Sequence, residues 1–62
     1  MSMKIVIIRT PDNYEVRVIN EHGLTTRVFT YRDLQAARRA AAAWSTAYGN
    51  CEIVDPAEGK KP

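Results

Sequence analysis

An α+β fold is predicted for this chain: a four-stranded mixed sheet, with strand order 3-2-1-4 across the sheet and one helix packed across one face. Three observations lead there. Three segments rich in β-branched residues fill the first half, and an alanine-rich segment with helical periodicity follows them. A short apolar run then closes the ordered part.

Taken in order, KIVIIRT at residues 4–10 reads as the first strand. TPDN at residues 10–13 places proline second, as a type I turn favours. YEVRVI at residues 14–19 alternates apolar with polar side chains and returns antiparallel, completing a hairpin. NEHG at residues 20–23 makes a second turn, with Gly23 suited to the left-handed position that ends a three-residue loop. Residues 24–29 form the third strand. Thr30 with Asp33 is a variant of the capping box and predicts a helix over residues 31–48, which Gly49 and Asn50 terminate. Residues 51–54 are a short fourth strand, so the sequence divides into a single domain over residues 1–55 and a flexible tail over 56–62.

A right-handed helical crossover places the fourth strand parallel beside the first. That makes the first strand central, in agreement with IVII at residues 5–8, whose two faces are both apolar. With Thr10 opposite Asn13, Ile7 pairs with Val16 and Ile5 with Val18, and these four share the face assigned to the helix. The opposite face holds Val6, Ile8 and Ile19 among Lys4, Glu15 and Arg17. The register of the second hairpin stays open by one residue, which leaves Phe29 on either face.

At 100° per residue, Leu34, Ala37, Ala41, Trp44 and Tyr48 form one stripe of the helix, with Ala36, Ala40, Ala43 and Ala47 beside it. Arg32, Gln35, Arg38, Arg39, Ser45 and Thr46 fall on the opposite half. The large residues are expected to fill the inner face of the sheet. The alanine stripe is expected to allow close backbone approach, over the sheet or against a second helix.

Bulk properties narrow the function. A chain of 62 residues buries only about 60% of the surface its unfolded form exposes, and small domains often gain stability by oligomerising. The single cysteine, Cys51, has no internal disulfide partner and fits a reducing compartment. The apolar run 5–8 is too short for a signal-peptide core or a membrane span, so a cytoplasmic protein is expected. Net charge is +2, but without Lys60, Lys61 and Glu58 the remainder holds seven basic against six acidic residues, close to neutral. His22 sits in a tight turn. The carboxylates Asp12, Glu15, Glu21, Asp33, Glu52 and Asp55 are dispersed, and no phosphate loop or nucleophile elbow occurs. No enzyme activity, metal, cofactor or small-molecule ligand is expected.

Two surfaces remain for function. One is the uncovered sheet face, where Val6, Ile8 and Ile19 offer apolar burial and Glu15 with Arg17 could fix register, which implies a protein partner or a homodimer. The other is a basic stripe of Arg32, Arg38 and Arg39 able to follow a nucleic acid backbone. The segment 14–44, YEVRVINEHGLTTRVFTYRDLQAARRAAAAW, resembles the second half of a double-stranded RNA-binding domain, in which strands lead through a turn into an alanine-rich helix. That family has a lysine cluster where this chain has Tyr31, Arg32 and Asp33, an additional earlier helix, and no fourth strand, so no family residue is transferred. The preferred expectation is a small non-enzymatic binding module acting through protein contacts and self-associating. Its size and lack of catalytic groups fit accessory or virus-encoded regulators that inhibit a larger machine. Nucleic-acid binding through the arginines is the alternative.

Overall fold

Five elements succeed one another in the computed structural model, which describes residues 3–55: β1 (Lys4–Arg9), β2 (Tyr14–Ile19), β3 (Thr25–Tyr31), α1 (Leu34–Ala47) and β4 (Glu52–Val54). They build one sheet in the order β3-β2-β1-β4, with one helix packed on it. β1 pairs antiparallel with β2 and parallel with β4, and β2 pairs antiparallel with β3. The fold is thus the α+β topology anticipated from the sequence. The expected tail, 56–62, lies outside the described residues.

Local chemistry explains the turns. The Thr10 amide donates to the Asn13 carbonyl at 2.8 Å, while the Asn13 amide donates to Thr10 Oγ1 at 2.9 Å. The threonine hydroxyl thus accepts the bond that its own carbonyl would accept in the expected type I turn. In the second turn Asn20 Oδ1 accepts from the amides of His22 and Leu24, and Gly23 adopts φ +83°. Only there does the loop require glycine's access to the left-handed region.

β3 begins one residue later than expected and runs on through Tyr31, because Thr30 and Tyr31 pair with Glu15 and Tyr14. That pairing removes Thr30 from the helix start. Asp33 is the N-cap instead, with extended backbone and Oδ1 accepting from the Ala36 amide at 2.8 Å. The helix stops at Ala47, one residue short of the expected end. Gly49 and Asn50, at φ +86° and +63°, turn the chain back while the Asn50 amide donates to the Ser45 carbonyl.

Ile5, Ile7, Val16, Val18, Ala37 and Ala41 form the buried core. The two strands therefore present to the helix the face assigned from the sequence. The helix meets it differently from expectation. Its central seam is Ala37, Ala41 and Ser45, while Leu34 and Trp44 are half-buried at the flanks and Tyr48 is 37% exposed. Four branched aliphatic side chains already fill the sheet side, so only small residues fit directly above them. Ser45, placed by the periodicity on the outer half, is buried because its hydroxyl donates to the Cys51 carbonyl at 2.6 Å. This bond ties the helix to the entry of β4. Among the described residues no helix is long and apolar enough to cross a membrane.

Candidate protein interface

Directly paired residues point to the same side of a sheet, so the register alone maps the face opposite α1. One cross-strand row is Val28, Arg17, Val6 and Val54. A second contains Thr30, Glu15 and Ile8, and a third Thr25, Ile19, Lys4 and Glu52. No element among the described residues covers these rows. Val6, Ile8, Ile19 and Val54 are half-buried, and Val28 is 49% exposed. Val6 and Ile8 are thus less open than the sequence alone implied, because Arg17, Glu15 and Val54 stand beside them in the rows and cover part of each. They are nonetheless distinct from Ile5 and Ile7, which are 0% and 1% exposed on the other side of the same strand.

Glu15 and Arg17 occupy the middle of this face. Arg17 Nε and Nη2 both donate to Glu15 Oε1, at 3.0 and 2.8 Å. The residues are two apart on one strand, the spacing that puts side chains on one side of the pleat. Their charges cancel. So do those of Lys4 and Glu52, which are paired across β1 and β4 in the third row. The five candidate residues Val6, Ile8, Glu15, Arg17 and Ile19 are therefore brought together on one surface. Val28 and Val54 join them, and neither could be placed from sequence: Val28 depended on the second hairpin's register, and Val54 on that of the parallel strand.

The arginines named for nucleic acid are distributed otherwise. Arg32 precedes the N-cap and is not part of α1, and both it and Arg39 are exposed. Arg38 Nε donates to Asp55 Oδ2 at 2.7 Å, in a half-buried ion pair that joins the helix to the residue after β4. The structure thus holds Arg38 against the end of the sheet and does not align it with Arg32 and Arg39 as one helical stripe.

A feature the sequence reading missed lies on the helix side of β3. The Val16–Phe29 pairing puts Phe29 on the helix face, where its ring stacks on Trp44 with centroids 5.2 Å apart. Trp44 also stacks on Tyr48 at 5.7 Å, and the Arg27 guanidinium lies 5.5 Å from the Trp44 ring. The separation is within cation–π range. This cluster seals the flank of the core that the narrow alanine seam leaves open. Among the described residues no three histidine, cysteine, aspartate or glutamate side chains come together as a metal site. The chain matches no family model, no curated protein and no solved structure.

Proposed function

We propose that this protein is a small non-enzymatic binding module that acts through protein contacts on its open sheet face and self-associates. One observation carries the reading: Val6, Ile8, Ile19, Val28 and Val54 share a face that no described element covers. Aliphatic side chains gathered on one surface gain free energy when another surface excludes their water, at about 25 cal/mol per Å². Isolated apolar residues are ordinary, but Val6, Ile8 and Val54 are direct neighbours on β1 and β4, and such a group marks an interaction surface. The Glu15–Arg17 pair in its midst supplies direction and register more than affinity.

The test is capture of associated macromolecules by the wild-type protein and by Ile8→Asp, each with and without nuclease. The wild type is expected to retain a nuclease-resistant protein that Ile8→Asp loses, while the variant keeps the wild-type fluorescence of Trp44. Association that disappears with nuclease and survives Ile8→Asp would overturn this reading in favour of nucleic-acid contact through Arg32 and Arg39.

A further inference from the structure

Resting on the reading of the open face as a protein interface, we infer that its occupant is a second copy of this chain, docked sheet to sheet about a two-fold axis. In that arrangement Arg17 of each copy meets Glu15 of the other. A two-fold contact requires a surface that complements itself: if residue i touches residue j, then j touches i. The charges on this face meet that condition. Arg17 and Glu15 lie on one strand two residues apart, on one side of the pleat. A two-fold axis running across β2, midway between these two residues, turns one copy over so that each arginine lies against the glutamate of the other copy.

The hydrogen bonding points the same way. Both guanidinium bonds of Arg17 go to Oε1 of Glu15, so Oε2 and the second terminal nitrogen of Arg17 remain for acceptance and donation across an interface. Reciprocal use of those atoms makes four charged groups into one closed cluster. The aliphatic residues Val6, Ile8, Val28 and Val54 lie around it and can exclude water from it.

The available area lies at the lower end of what a specific contact needs. Three strands about 20 Å long and spaced about 4.8 Å apart, with the three-residue β4 beside them at about half that length, make up the face. Allowing for side-chain relief, two such faces cover on the order of 1,000 Å² of accessible surface, about where specific interfaces begin. Facing sheets of this kind pack about 10 Å apart with their side chains interleaved. The second sheet would do for the open rows what α1 does for the other side.

Complementary charge variants test this directly. Glu15→Arg gives a face with two adjacent arginines, and Arg17→Glu gives one with two adjacent glutamates. Each is expected to weaken self-association at least roughly tenfold, and an equimolar mixture to form a heterodimer of near wild-type strength, by analytical ultracentrifugation. The double variant E15R/R17E should self-associate like the wild type, and it keeps the test valid if a single variant folds poorly. Circular dichroism and Trp44 emission report the folding of each.

Single variants that self-associate normally would overturn the inference. So would a mixture or a double variant that stays monomeric. A wild type that is monomeric at every concentration, yet holds a nuclease-resistant partner through an Ile8-sensitive contact, would overturn the second copy while leaving the interface reading intact. If Ile8→Asp changes no association at all, both fail.

Discussion

Ile7 and Ile8 are chemically identical neighbours on β1, yet the structure assigns them to opposite sides of the sheet, and truncating each to alanine should separate folding from association. Ile7 is 1% exposed and faces the helix seam of Ala37 and Ala41. Removing three buried carbons from such a site costs about 2–5 kcal/mol, the transfer term adding to that of the cavity left behind. The upper part of that range applies here, because alanines cannot swing into the void. A domain of 62 residues is worth only about 3–9 kcal/mol in total, so Ile7→Ala should remove most of it. With a urea slope near 1 kcal/mol/M, the midpoint should fall by about 4 M. Ile8 is already partly hydrated in one copy, and Ile8→Ala should cost under about 1 kcal/mol.

The assay is urea denaturation followed by Trp44 emission, since that ring leaves its stack with Phe29 and Tyr48 on unfolding. It is run at two protein concentrations. Association adds stability that grows with concentration, so the wild type and Ile7→Ala should gain stability at the higher concentration and Ile8→Ala should not. Equal losses for the two alanine variants in dilute solution would refute the reasoning, because they would mean that both faces of β1 are sealed within one copy.

Four further outcomes follow from the geometry. Asp33→Ala should cost about 1 kcal/mol by removing the acceptor of the Ala36 amide, and Asp33→Ser should recover most of it, as read from thermal midpoints. Ala41→Leu should destabilise by about 1–3 kcal/mol in the same measurement, because the fully buried seam has no room for an added isopropyl group, whereas a leucine at exposed Ala42 should be tolerated. Gly49→Ala should cost about 1 kcal/mol although open space surrounds the position, since φ +86° strains any side chain; a neutral result in urea denaturation would contradict that backbone geometry. Replacing Arg39 by glutamate should leave self-association unchanged in ultracentrifugation, as it is exposed on α1, which lies on the other side of the sheet; a loss would move the interface to that side of the molecule.

The elements that depend on near neighbours were legible in the sequence. The alternation in YEVRVI, the short TPDN link and Gly23 specify the hairpins locally, and the short link also sets which residues of β1 and β2 face each other. From that register came the buried quartet Ile5, Ile7, Val16 and Val18, and with it the open-face positions Val6, Ile8, Glu15, Arg17 and Ile19. The place of β4 beside β1 followed from chain geometry, because a single helix spans that crossover.

Tertiary contact decided the rest, wherever two local preferences competed. Thr30 and Asp33 can both cap a helix, and the pairing of Thr30 and Tyr31 with β2 settled it for Asp33. The side taken by Phe29 depended on the register of the second hairpin, which shifts by one residue at Val18/Ile19; there Thr26 Oγ1 donates to the Val18 carbonyl. The rotation of α1 was set by volume. Four branched side chains beneath it admit methyl groups and a hydrogen-bonded serine at the centre, and they displace Trp44 to the edge, where Phe29, Tyr48 and Arg27 meet it. Periodicity along the chain can mark which helix residues are apolar. Which of them points straight down depends on the shape of the surface opposite, and that surface exists only once β1 and β2 have paired.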